Sequence, residues 1–169
     1  EVAARADAAG AAPRDYACTI LVAVIGEDRG ACFQIGDGAI VLSPRLAPDA
    51  YTVAVWPQRG EYENVTNFAT DPTALDALCY VAIERPIDDV ALFSDGLQRL
   101  ALHYASQTVH APFFGPMFAP LRFSSPGISE TLSSALARFL AGEQVNSRTD
   151  DDKTLILATR RSSESGAGA

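Results

Sequence analysis

The sequence predicts an α+β layered sandwich, and three observations predict it. Short apolar, β-branched runs of strand length recur from Thr19 to Ser94, separated by Gly- and Pro-bearing turns. At least one later segment carries apolar residues at helical spacing. The first strand-like run, Thr19 to Ile25, is apolar without interruption after its threonine, which implies burial on both faces and so a sheet covered from two sides.

Taken in order, Glu1 to Arg14 is Ala-rich and broken by Gly10 and Pro13, so it reads as the end of a helix or as an unstructured lead-in. Thr19–Ile25, Ala31–Ile35 and Ala39–Leu42 form a meander of strands. The first pair is joined by the loop Gly26 to Gly30 and the second by a tight corner at Gly36-Asp37-Gly38. Tyr51–Trp56, Cys79–Ile83 and Val90–Ser94 are further strands, the last two linked by a turn at Arg85 to Asp89. Gly96–Tyr104 reads as a helix. Val109–Pro126 combines Pro112, Pro116, Pro120 and Pro126 with Phe113, Phe114, Phe118 and Phe123, and reads as a packed loop over the core. Ser129–Gly142 is the clearest helix: Ser129 can cap it, and Leu132, Leu136, Phe139 and Leu140 share one face. Lys153–Thr159 is a last strand. The domain is expected over 17–160, with 1–16 as lead-in or the end of a missing helix and 161–169 as a disordered tail.

The bulk numbers narrow the function classes. A chain of 169 residues that is 48% hydrophobic suits one domain with a proper core. A formal net charge of -8, with 13 Lys and Arg scattered along the chain, argues against nucleic acid and against anionic membrane surfaces. No apolar run approaches a membrane span. Cys18, Cys32 and Cys79 lie in apolar runs with no metal-ligand spacing, so they are expected as buried thiols in a reducing, cytoplasmic compartment. The chain begins at Glu1, which leads us to expect that translation starts further upstream.

Three acidic sites stand at strand ends: Asp37 in Gly36-Asp37-Gly38, Asp95 in Ser94-Asp95-Gly96-Leu97, and the run Asp150-Asp151-Asp152 before the final strand. A lone Asp-Gly is ordinarily turn chemistry, and the triple Asp could be a charged strand cap. Carboxylates projected from one sheet edge also suit hard divalent cations. A pair of such ions can clamp a phosphoryl group and acidify a water that attacks it.

The order of these motifs resembles the PPM (type 2C) family of metal-dependent serine/threonine protein phosphatases, in a bacterial subgroup. Ala17 to Val24 followed by Gln34-Ile35-Gly36-Asp37-Gly38-Ala39 is similar to the family's central hairpin. Phe93-Ser94-Asp95-Gly96-Leu97 is similar to its Ser-Asp-Gly-Leu motif, and Asp151-Asp152-Lys153-Thr154 to its closing Asp-Asn-x-Thr. Tyr62 to Phe68 and Val109-His110-Ala111-Pro112-Phe113-Phe114 carry the subgroup likeness. The resemblance implies an α-β-β-α sandwich of antiparallel sheets flanked by helices. It also implies a dinuclear Mg²⁺ or Mn²⁺ centre held by Asp95 and Asp151, with Asp37 near a third, weaker cation. The implied partners are a phosphorylated protein substrate and a cognate Ser/Thr kinase, and the implied reaction is hydrolysis by an activated water with no covalent enzyme intermediate. Three departures stand out. Gly38 and Ala39 replace the usual Ser and Arg, Asp152 replaces Asn, and the family's early Asp-Gly motif, expected before Ala17, has no counterpart in Glu1 to Tyr16. That last departure supports a rival reading, a non-catalytic phosphatase-like module that binds a kinase or phosphoprotein. Another metal-dependent hydrolase with strand-end aspartates fits the motif order less well.

The remaining candidates read as structural. His103, expected on the helix after Asp95, and His110 have no nucleophile motif beside them. Trp56 is expected to pack at the core or its rim, and Asn64 is a loop residue.

Overall fold

The computed structural model describes residues 2–58 and 66–161. Its strands are β1 (Ile20–Ile25), β2 (Gly30–Ile35), β3 (Ala39–Pro44), β4 (Thr52–Val55), β5 (Cys79–Ile83), β6 (Ile87–Phe93), β7 (Leu102–His103), β8 (Thr108–Val109) and β9 (Leu155–Thr159). Its helices are α1 (Val2–Ala9), α2 (Gln98–Ala101), α3 (Ala111–Arg122), α4 (Glu130–Leu140) and α5 (Glu143–Asn146). The Ala-rich start is therefore helical in α1. The segment Tyr62 to Val65, which carries part of the subgroup likeness and includes Asn64, lies outside the described residues, as does 162–169.

Two antiparallel sheets form, ordered β1-β2-β5 and β4-β3-β6-β9, with β7 and β8 as a small separate hairpin. Cys32, Ile40, Leu42, Val55, Ile83, Ile87 and Val90 fill the space between the sheets. On the other face of the four-stranded sheet, Val41, Ala91 and Phe93 meet Leu97, Leu100, Phe113, Phe114, Phe118 and Val145 from the helical side. The α+β sandwich with antiparallel sheets is as expected. The strand buried on both faces, however, is β3, where residues 39–43 are all buried. In β1 burial alternates, leaving Ile20, Val22 and Val24 at 43%, 37% and 59% exposure. With Tyr80 at 58%, they make the outer face of the three-stranded sheet open among the described residues. An unbroken apolar run thus arose in an edge strand with one free face, a case that apolarity alone does not separate from a central strand.

Two expected turns are in fact crossings between layers. β2 and β3 do not pair, and the Gly36-Asp37-Gly38 corner carries the chain from one sheet to the other. Arg85-Pro86 does the same between β5 and β6, and β6 already begins at Ile87. The helix expected over Gly96–Tyr104 is a 3-10 turn at Asp95–Leu97 followed by the short α2, and His103 lies in the β7–β8 hairpin. Cys18 is exposed rather than buried, because it precedes the edge strand β1. Cys79 is half-buried, while Cys32 is buried, and burial pushes its thiol up to about 11.

The largest correction is Val109–Pro126, which contains the twelve-residue helix α3 rather than a loop. Proline removes a hydrogen-bond donor and crowds the carbonyl four residues earlier. Here Pro112 opens the helix, and Pro116 and Pro120 follow at four-residue spacing, so all three fall on the exposed face, where water can serve the freed carbonyls. The opposite face buries Phe113, Phe114 and Phe118. Phe114 has its ring centroid 5.8 Å from Phe93 and 5.6 Å from Tyr51. Aromatic burial therefore overrides local propensity. The α4 helix forms as expected, with Ser129 Oγ accepting from the Leu132 N–H at 3.3 Å. Trp56 packs edge-on against Tyr104 at 5.8 Å.

A buried ion pair ties the helical layer to the four-stranded sheet. Asp89 on β6 is 1% exposed and receives Arg122 from the end of α3 through both Nε and Nη2, together with the Thr159 hydroxyl at 2.7 Å. Arg122 Nη2 also reaches Asp49 Oδ1 at 2.9 Å, and Tyr51 donates its hydroxyl to the same oxygen at 2.8 Å.

Candidate functional site

Strand pairing brings the three sequence-distant aspartates to one end of the four-stranded sheet. β3 and β6 are antiparallel with Ala39 opposite Phe93, so the residues before β3 and after β6 are neighbours. β6 and β9 are antiparallel with Phe93 opposite Leu155, which adds the residues preceding β9. Asp37, Asp95 and Asp151 occupy those three positions.

Local contacts hold the loops together. The Ser94 N–H donates to the Thr154 carbonyl at 3.1 Å. Its hydroxyl donates to the Asp152 carbonyl at 3.1 Å and accepts from the Thr154 N–H at 3.0 Å. Gly96 lies against the same loop, and a β-carbon there would stand 2.4 Å from the Asp152 carbonyl oxygen and 3.2 Å from Asp151 Cβ. The Gly96 N–H also donates to Asp95 Oδ1 at 2.9 Å. At Asp37, the Thr66 hydroxyl donates to Oδ2. A β-carbon at Gly38 would stand 2.7 Å from the Phe93 carbonyl oxygen, and Ala39 is wholly buried. A side chain at Gly38 would thus require Leu21 and the Phe93 backbone to shift.

The electrostatics are those of an acidic cluster whose carboxylates, Asp37, Asp95 and Asp151, are not ion-paired among the described residues. The nearby Lys153 ammonium donates instead to the Asp151 carbonyl at 3.3 Å. Asp95 is open to solvent, yet the surrounding chain withdraws enough water to raise its carboxyl above the usual range. The charges of Asp37 and then Asp151 push the same way, against the Gly96 N–H. Hard, mutually repelling oxygen donors are the chemistry that Mg²⁺ and Mn²⁺ take. The set is partial, since among the described residues no three His, Cys, Asp or Glu side chains stand close enough together to enclose an ion.

His103 and His110 pair with each other at 2.9 Å between Nε2 and Nδ1 and take no part in the cluster. Sequence reasoning missed Thr66 and Gln98, whose contacts to Asp37 depend on the tertiary fold. It also passed over Gln34, although a polar residue two positions from Cys32 on a strand's inward face is a legible signal.

A two-layered antiparallel sandwich with a helical layer and strand-end carboxylates at one edge is the architecture of a type 2C phosphatase domain. The chain belongs to the protein phosphatase 2C family, whose family model matches residues 1–141. It is 39% identical over 155 residues to Serine/threonine-protein phosphatase 3 of Escherichia coli (strain K12), covering 92% of this chain and 60% of that protein. Among solved structures it resembles a bacterial serine phosphatase at TM-score 0.54 and 15% identity, over 85% of this chain and 57% of the other. A point variant of a bacterial serine phosphatase superposes at TM-score 0.52 and 16% identity, over 85% and 53%. The chain thus spans well under two thirds of the length of these relatives. Among the described residues no helix is long and apolar enough to cross a membrane.

Proposed function

We propose that this chain contributes the metal-binding aspartates of a divalent-cation-dependent phosphatase that hydrolyses phosphoserine and phosphothreonine in proteins. The observation that carries the reading is the convergence of Asp37, Asp95 and Asp151, unpaired by any described cation, at one end of the four-stranded sheet. Asp95 and Asp151 would hold the principal Mg²⁺ or Mn²⁺ ions and Asp37 a weaker one. When bound, the ions supply charge neutralisation for the phosphoryl oxygens and acidify a water. The protein's own part is positional: Ser94 locks the Asp95 and Asp151 loops together, Thr66 orients Asp37, and the packed sheet beneath keeps the carboxylates from spreading apart. The E. coli relative, named a phosphatase, supports an enzyme over a binding module. A cytoplasmic setting, in keeping with three free cysteines, and a cognate Ser/Thr kinase complete the proposal.

The test is Mn²⁺ titration by calorimetry on the full chain, with p-nitrophenyl phosphate turnover measured in parallel. Asp95→Ala and Asp151→Ala are each expected to remove Mn²⁺ binding and Mn²⁺-dependent turnover while the circular dichroism spectrum is unchanged. Wild-type Mn²⁺ affinity in either variant would overturn the assignment.

A further inference from the structure

The corner bearing Asp37 belongs to neither sheet, so its peptide groups have no ladder partners and must find others. Three glutamine side chains supply them. Gln34, wholly buried on β2, donates from Nε2 to the Gly36 carbonyl at 3.1 Å and to the Gly38 carbonyl at 2.9 Å, one on each side of Asp37. Gln58, just after β4, accepts the Gly36 N–H on Oε1 at 2.8 Å, and its own backbone N–H donates to the Gly36 carbonyl at 3.3 Å. Gln58 is itself held by Nε2, which donates to the Ala77 carbonyl and lies 3.1 Å from Cys79 Sγ. Gln98, the first residue of α2, donates from Nε2 to the Asp37 carbonyl and accepts the Tyr104 hydroxyl on Oε1.

Every carbonyl of the corner is thus taken by a glutamine amide, and the three glutamines come from three separate parts of the fold. A carboxamide both donates and accepts from one rigid planar head, so Gln58 and Gln98 each join the corner to a second fixed point. Gln34 keeps its place although its Oε1 has no described partner in the buried interior. A merely space-filling residue there would be apolar, since an unpartnered buried amide oxygen is destabilising.

We propose that Gln34, Gln58 and Gln98 are positioning residues, a carboxamide clamp that fixes the Gly36-Asp37-Gly38 corner and so holds the Asp37 carboxylate toward Asp95. Gln98 links the clamp to the first turn after Asp95, so two of the candidate ligands move together. The proposal rests on reading Asp37, Asp95 and Asp151 as cation ligands.

Two measurements on the full chain test it. The first is Mn²⁺ affinity by calorimetry for Gln34→Leu, Gln98→Leu and Gln98→Asn, with Gln144→Leu on the exposed surface as control. All three clamp variants are expected to bind Mn²⁺ about 10- to 100-fold more weakly, as changes to groups that orient ligands do, the Asn variant because it is too short to reach the Asp37 carbonyl. The second is amide hydrogen exchange of Gly36, whose N–H is held by Gln58, in metal-free protein, expected to quicken about tenfold or more in the same variants, a shift of about 1.4 kcal/mol per factor of ten in local opening. Unchanged exchange at the corner overturns the clamp whatever the metal does. If Asp95→Ala abolishes Mn²⁺ binding while the clamp variants keep wild-type affinity, the clamp fails and the ligand reading stands. If Asp95→Ala binds normally, the ligand reading is what fails. A variant that melts earlier yet keeps its affinity and exchange would show a purely structural role and would also overturn the proposal.

Discussion

Arg122→Ala is expected to lower the unfolding free energy by about 3–5 kcal/mol, the loss typical when one partner of a buried ion pair is removed. Asp89 is 1% exposed, and without the guanidinium its carboxylate keeps only the Thr159 hydroxyl as a described side-chain partner. The same change frees Asp49, whose loop joins β3 to β4, from the end of α3. Urea denaturation monitored by circular dichroism measures the loss. A loss below about 1 kcal/mol, the range of an exposed pair, would show that the network does not hold the layers together. The double variant Arg122→Met with Asp89→Leu is expected to recover most of the stability, because replacing both charges removes the uncompensated one.

The network also sets a pH dependence. Hydrogen bonding from Arg122, and then from Tyr51, holds the Asp49 carboxyl below its ordinary value. A folded value below the unfolded one means that this contribution is complete above the unfolded carboxyl range and is lost as pH falls through the folded value. The wild type is therefore expected to lose stability below about pH 4 more steeply than Arg122→Ala, in which Asp49 has lost its main partner.

Gly96→Ala is expected to weaken Mn²⁺ binding by about 10- to 100-fold, as displacing groups that support metal ligands commonly does. The added methyl would stand 2.4 Å from the Asp152 carbonyl oxygen, a backbone atom that cannot rotate away, and 3.2 Å from Asp151 Cβ. The Asp150 to Lys153 loop must move, and Asp151 with it. Because Ser94 binds that loop through three hydrogen bonds, the displacement is also expected to disturb Asp95. Calorimetric Mn²⁺ titration of the variant checks this, and wild-type affinity would show that Asp151 does not need its observed position.

Much of the local structure was legible in residue order. The strands at Ala31–Ile35 and Cys79–Ile83, the Ser129-capped α4 and the strand end at each candidate aspartate follow from periodicity, capping and turn chemistry. Those signals are local, so they survive without knowledge of neighbours. The order of the three aspartate motifs likewise pointed to the family before any contact was known.

Other features escaped because the deciding partner is far away in sequence. The prolines of α3 forbid a helix on local grounds, and only the Tyr51 and Phe93 rings, waiting to be met by Phe114, make one favourable. The unbroken apolar run of β1 could not say that it would form a sheet edge, because burial depends on what covers a strand and not on the strand itself. The corner at Asp37 read as a hairpin because a glycine turn allows either a hairpin or a change of sheet.

The amino-acid sequence by itself determined the residue types, their order and the elements that carry them, including acidic groups at the ends of strands. The tertiary structure alone decided that β3, β6 and β9 lie side by side, bringing Asp37, Asp95 and Asp151 together and placing Gln34, Gln58 and Gln98 around one of them. The physical reason is that charge repulsion and hydrogen bonding act over a few ångströms of space, whereas the groups concerned are separated by up to more than a hundred positions of chain.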